Sequence, residues 1–260
     1  RQANVLVSSS FIHITTRSSP FVLLVTFLLD MLQAAGAAYA LKLSGSRNVA
    51  MCYFGDGAAS ERDFHAALNF AATLDCPVVF FCRNNGYAIS TPTAEQYRGD
   101  GIVSRAPGYG VHGVRVDGND ALAVYAATAA ARELAADSNR PVLLEAMTYR
   151  VGHHSTSDDW SRYRDGAEVK RWQGPGGDGV ARFRLYLERR GLWGEGEDRD
   201  LRDKERMAVM LALETAEKKG RPPLSSMFED VYRDMPPALQ EQQAAMVAHI
   251  AKYPESYPKE

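Results

Sequence analysis

The sequence predicts an α/β fold, a parallel sheet with helices on both faces followed by a helical C-terminal tail. Three observations carry the prediction. Short apolar runs alternate with helical segments between Asn48 and Met147, the order that crossover-linked parallel strands require. Two long irregular stretches, Arg83 to Gly110 and Arg150 to Asp165, each follow an expected strand end, where open sheets of this kind place their ligands. Beyond Gly174 to Gly179 only helical periodicity remains.

Val49 to Phe54 reads as the first strand. Ser60 is expected to cap the helix that follows, with Asp63 in its first turn, and Phe64, Ala67, Leu68, Ala71 and Ala72 repeat on one face as far as Leu74. Arg62 opposes the positive end of that helix dipole unless it reaches Asp63. Cys76-Pro77 opens a second strand, Val78 to Cys82, which completes a strand–helix–strand unit. Val111 to Val116 and Pro141 to Met147 supply two more strands around an alanine-rich helix, Asp120 to Ala136. The tail holds helices at Val180 to Arg190, Asp198 to Lys219 and Pro236 to Tyr253. The organisation is an atypical N-terminal segment at 1–32, a core at 33–165 and a helical region at 166–260 that packs on the core and on partner subunits.

Composition excludes several classes. A hydrophobic share of 45% with 24% charged residues is that of a globular domain rather than a disordered or fibrous chain. Thirty Lys and Arg against thirty-two Asp and Glu leave no electrostatic footprint for nucleic acid or a membrane surface. Cys52, Cys76 and Cys82 lack metal-binding spacing and sit in or beside apolar runs, which suits buried thiols in a reducing compartment. The apolar run Pro20 to Leu32 contains Asp30 and is too short to span a bilayer, so no targeting or transmembrane segment is expected from it.

The chemistry concentrates at two strand ends. Gly55-Asp56-Gly57 closes the first strand and Asn84-Asn85 closes the second, so a carboxylate and an amide lie side by side at the carboxyl edge of the sheet. Together they suit a hard divalent cation such as Mg2+, which takes one carboxylate, neutral oxygens, water and phosphate oxygens. The glycines let a diphosphate approach the backbone, and Arg83 can add a charge-assisted hydrogen bond. His65 and His153 read as structural, and Ser155, Thr156 and Ser157 with Asp158 and Asp159 read first as a polar turn.

Gly55-Asp56-Gly57 through Asn84-Asn85 resembles the thiamine diphosphate motif. The likeness widens through GDGAASE (55–61), RNNGYAISTPT (83–93), RVDGND (115–120) and EAMTYRVGHHSTSDD (145–159) to the alpha subunit of branched-chain 2-oxo acid dehydrogenases, and covers nearly everything after Leu32. His153-His154 as neighbours separate this branch from the pyruvate dehydrogenase alpha subunit, which resembles it up to that element.

The resemblance implies a thiamine-diphosphate-binding fold in which 33–165 is the cofactor core. It implies Mg2+ on Asp56, Asn85 and the Tyr87 carbonyl, diphosphate contacts from Gly57, Ala58 and Arg83, and His154 as the active-site histidine near the reacting carbon. It further implies an alpha2-beta2 heterotetramer with a beta subunit, acyl transfer to a lipoyl-bearing acyltransferase, and a place in the mitochondrial matrix. Ser155 matches a regulatory phosphorylation site addressed by a kinase and phosphatase, while Asp165 replaces a second phosphoserine. Relatives also hold K+ near the cofactor through a polar, glutamine-rich junction, where this chain runs from Ser18-Ser19-Pro20 into FVLLVTFLLDML. The first residues therefore read as a mis-joined segment and the chain as N-terminally truncated. Rival expectations are a pyruvate- or acetoin-directed alpha subunit and an inactive assembly or regulatory protein.

Overall fold

A computed structural model describes residues 30–257. Residues 1–29 of the atypical segment at 1–32, including the junction after Pro20 and the K+ question attached to it, lie outside the described residues. Four strands, β1 (Ala50–Gly55), β2 (Val78–Asn84), β3 (His112–Asp117) and β4 (Val142–Met147), form a parallel sheet in the order β1-β2-β4-β3. Gly55 stands opposite Arg83 across β1 and β2, and Asn84 opposite Met147 across β2 and β4. The carboxyl ends of three strands thus come level at one edge.

Burial follows the two-residue period of the strands. Ala50, Cys52 and Phe54 of β1 with Val78, Phe80 and Cys82 of β2 face α1 (Asp30–Leu43) and α2 (Arg62–Thr73), packing on Ala34, Ala38, Phe64 and Leu68. Met51, Val79, Phe81, Val142 and Leu144 face the other way, against Ala131 and Ala135 of α3 (Ala121–Ser138). Both faces are covered, as the apolar strands require. All three cysteines are buried thiols.

One local expectation needs adjustment. Ser60 does not cap α2: it ends a short 3-10 turn (Ala58–Ser60), and the extended Glu61 takes the cap position without a side-chain hydrogen bond. The turn is the tighter way to leave β1 when the Asp56 carbonyl must accept the Ala59 amide, at 3.2 Å. Arg62 does reach Asp63, with Nε 3.3 Å from Oδ1.

The first compact unit continues to Leu192. Asp165 and Asp178 cap α4 (Gly166–Gln173) and α5 (Gly179–Arg189) by accepting the amides of Ala167 and Ala181. Trp172 of α4 stacks on Tyr149, centroids 5.3 Å apart, and Arg182 of α5 pairs with Asp117 at 2.7 Å, which ties both helices to the sheet. The second unit, from Trp193, contains α6 (Glu195–Glu217) and α7 (Pro237–Lys252). No helix among the described residues is long and apolar enough to cross a membrane.

Candidate active site

Asp56 follows β1 directly and is completely buried. Its Oδ1 accepts the Asn85 amide at 3.2 Å and its Oδ2 accepts Gln96 Nε2 at 3.2 Å. Both donors are neutral, and no ion pair reaches this carboxylate among the described residues. A buried charge without a counterion is costly, so the arrangement leaves room for a cation. Asn85 turns its Oδ1 onto the Tyr87 amide at 3.2 Å, which fixes the turn that presents the Tyr87 carbonyl.

Gly57 explains itself by approach. A Cβ there would stand 2.7 Å from the Cβ of Ala88, so only glycine lets the turn after β1 pack under the loop after β2. That loop makes a small hairpin, Tyr87–Ala88 against Thr91–Pro92, whose corner holds Ile89 at φ +56. A β-branched residue in the left-handed region is strained by about 1–3 kcal/mol and persists only where neighbours over-determine it. Arg150 does so, donating from Nη1 to the Tyr87 carbonyl at 3.5 Å and from Nη2 to the Ile89 carbonyl.

Asn84, the first residue of the pair, faces away from Arg83 because side chains alternate along the strand. Its Nδ2 donates to Glu145 Oε1 at 2.7 Å and to the Tyr97 hydroxyl at 3.2 Å, and its Oδ1 accepts the Gly86 amide. Glu145 is fully buried on β4 and also accepts the amides of Ile102 and Val103 and the Nε of Arg115. Gly101 passes so close that a Cβ would meet both carboxylate oxygens at 2.7 and 2.8 Å, and its φ of +69 suits glycine as well.

The structure brings Asp56, Gly57, Asn85 and Tyr87 together, with Ala58 in the same turn. Arg83 stands apart on the other face of β2, lining a cavity of about 470 Å3 with Asn119, Thr148, Tyr149 and Trp172, and has no ion-pair partner among the described residues. His154 is exposed in the loop after β4, where its amide donates to Asp158 Oδ2 at 2.7 Å. The Tyr163 hydroxyl donates to the same oxygen at 2.7 Å, and Arg150 Nη2 donates to that hydroxyl at 3.0 Å. The His154 amide and the Tyr163 hydroxyl, in that order, hold the Asp158 carboxyl below its usual range. Arg164 secures the base of the loop through the carbonyls of Arg150 and Gly152, its guanidinium among the rings of Tyr87, Tyr149, Trp160 and Tyr163. His153 accepts the Trp160 amide, and Ser155 shares a hydrogen bond with Ser157 at 3.3 Å.

Residues 8–225 match the family model described as Dehydrogenase E1 component. The chain belongs to that family. It is similar to the curated mitochondrial 2-oxoisovalerate dehydrogenase alpha subunits of Macaca fascicularis and Homo sapiens, 52% identical to each, and of Dictyostelium discoideum, 48% identical. These matches cover 95%, 95% and 99% of this chain and 54%, 54% and 57% of the relatives. The chain spans about half the length of the curated relatives it matches.

Four residues that support the candidate site are not singled out by the sequence. Glu145 carries a visible signal, a carboxylate inside the apolar strand PVLLEAM. Gln96, Arg150 and Arg164 carry none, since their partners come from loops whose paths only the fold defines. Among the described residues no group of three or more His, Cys, Asp and Glu side chains is placed to hold a metal. The donors at β1 and β2 are of a different kind, one carboxylate with an amide oxygen and a main-chain carbonyl, a set that fits a hard divalent ion whose remaining ligands are water and phosphate.

Proposed function

We propose that this chain is the cofactor-holding part of a 2-oxoisovalerate dehydrogenase alpha subunit, which decarboxylates branched-chain 2-oxo acids with thiamine diphosphate and Mg2+. One observation carries the reading: a fully buried Asp56 at a strand end, held only by neutral donors and adjoining Asn85. Asp56, the Asn85 side chain and the Tyr87 carbonyl would hold Mg2+. Gly57 and Ala58 would meet the diphosphate along the backbone, and Arg83 would become its counterion only where the diphosphate extends past the end of β2 toward the other face. Thiamine diphosphate, when bound, supplies the carbon nucleophile and the electron sink for loss of carbon dioxide. His154 then exchanges a proton with the carbonyl oxygen of the 2-oxo acid, from a loop whose position Asp158, Tyr163 and Arg150 set. The other half of the site belongs to a beta subunit, the acyl group leaves on a lipoyl arm, and the setting is the mitochondrial matrix. Ser155, exposed beside His154, is the proposed phosphorylation site for a regulatory kinase and phosphatase.

The test is carbon dioxide release by the full-length alpha subunit reconstituted with a beta subunit. Release from 3-methyl-2-oxobutanoate should exceed release from pyruvate, and His154→Ala should lower kcat by at least about a hundredfold. Preference for pyruvate would move the chain to the rival branch. Absence of turnover with either acid in the wild-type complex would support the inactive reading instead.

A further inference from the structure

Ile89 and Ser90 form the two-residue loop of the small hairpin, since Ala88 pairs with Thr91 across it. Where φ is positive such loops favour glycine, asparagine or aspartate, yet Ile89 stands there at φ +56. Its side chain is 55% exposed, so burial does little to offset the strain. An apolar residue that stabilises the fold neither by its conformation nor by its packing points to a contact outside the chain.

The neighbours of Ile89 bracket the place of that contact. On one side Ala88 lies on the turn at Gly57, where an added Cβ would stand 2.7 Å from the Ala88 Cβ, so the corner adjoins the turn proposed to meet the diphosphate. On the other side Arg150 Nη2 donates both to the Ile89 carbonyl and, at 3.0 Å, to the Tyr163 hydroxyl. That hydroxyl donates to Asp158 Oδ2 at 2.7 Å, and the same oxygen accepts the His154 amide at 2.7 Å. Ile89 and the loop of His154 are therefore held from one guanidinium. The side chains of Asp56, Asn85, Gln96 and His154 are all polar, whereas a branched-chain 2-oxo acid brings an aliphatic group that gains by leaving water. We propose that Ile89 is a specificity-determining residue, an apolar corner on which the branched chain of the 2-oxo acid packs while His154 serves its carbonyl oxygen. This rests on the reading of the chain as a 2-oxoisovalerate dehydrogenase alpha subunit. A glycine or asparagine would suit the corner better and would leave the branch of the substrate in water.

The experiment uses the full-length alpha subunit assembled with its beta subunit and compares kcat/KM for 3-methyl-2-oxobutanoate with kcat/KM for pyruvate, whose methyl group lacks the branch. Ile89→Asn fits the left-handed corner and removes the apolar contact. It should lower the ratio of the two values by at least about tenfold, the smallest effect of a methylene in an apolar pocket. The loss should fall on the branched acid, while thiamine diphosphate affinity stays at the wild-type value. Its thermal midpoint should equal or exceed that of wild type, because the strain is released. Ile89→Val keeps a β-branched apolar side chain and should retain most of the ratio. An unmoved ratio in Ile89→Asn, equal losses with both acids, or a midpoint below wild type would each overturn the proposal, the last by showing a structural residue. The wild-type complex separates the two claims. If it prefers pyruvate, the reading of the function fails and this inference with it; if it prefers the branched acid and Ile89→Asn keeps that ratio, only the role of Ile89 fails.

Discussion

Two buried carboxylates at the carboxyl edge of the sheet, Asp56 and Glu145, are provisioned differently. Glu145 has four donors, one of them the Arg115 guanidinium, which is itself held by Asp100 at 3.0 Å. Asp56 has two neutral donors and no counterion among the described residues. Glu145 is thus finished as a structural anchor, whereas Asp56 would be finished by the proposed cation. Glu145→Leu should lower stability by about 3–5 kcal/mol, because Asn84 Nδ2 and the amides of Ile102 and Val103 lose their acceptor together. Glu145→Gln, which keeps one acceptor oxygen, should cost about 1–3 kcal/mol. Chemical denaturation of the two variants measures both, and equal stability of Glu145→Leu and wild type would contradict this account. Asp56 and Asn85 were legible in the sequence because a motif at two strand ends needs only the strand–helix–strand order to become adjacent. Gln96 was not, since nothing in local pattern says where a loop amide will point.

At the scale of elements, the loop after β4 hangs on Asp158. Its carboxyl lies below the ordinary carboxylate range because the His154 amide and then the Tyr163 hydroxyl favour the charged form. A group depressed on folding stabilises the structure above its unfolded pKa, and that contribution disappears as pH falls through the folded value. The loop should therefore keep constant protection from about pH 5 to about pH 8 and loosen only in stronger acid. Amide exchange across 150–163 checks this; loosening near neutral pH would assign the lock to another group. Asp158→Ala should speed exchange there above about pH 5 and make little further difference in strong acid. Ser155→Glu places a negative charge beside Asp158 and Asp159, and like charges favour extended conformers, so complex activity should fall partially while cofactor binding persists. The same change at Thr156 should do less. Full activity of Ser155→Glu would leave Ser155 an ordinary turn residue. The strands and helices that were predicted lie within about three residues of their places because apolar periodicity is written locally, whereas α1 and α4 were not predicted. Ser60 misled for a physical reason: its hydroxyl serves Gln96, 36 residues away, rather than the helix start it precedes.

At the scale of the molecule, α/β architecture and E1 membership were both readable, the first from the alternation of strand and helix and the second from motifs lying at the carboxyl edge. The break at 192 was not, because the Tyr149–Trp172 stack and the Asp117–Arg182 pair that draw α4 and α5 onto the sheet unit join distant positions. In the second unit, Met207, Val209, Met210 and Leu211 of α6 are all exposed. Apolar groups in such a row are a liability for a chain on its own. The chain produced alone should self-associate and bind an apolar dye, and light scattering should show the effect shrinking when a beta subunit is co-produced; a monodisperse lone chain would contradict this.

The central claim is that the ends of β1 and β2 form a cation and diphosphate site around Asp56. Calorimetric titration of thiamine diphosphate in Mg2+, on the full-length subunit with its partner, tests it most directly. Wild type should bind and Asp56→Ala should lose nearly all affinity, whereas unchanged affinity in Asp56→Ala would place the metal and the cofactor elsewhere.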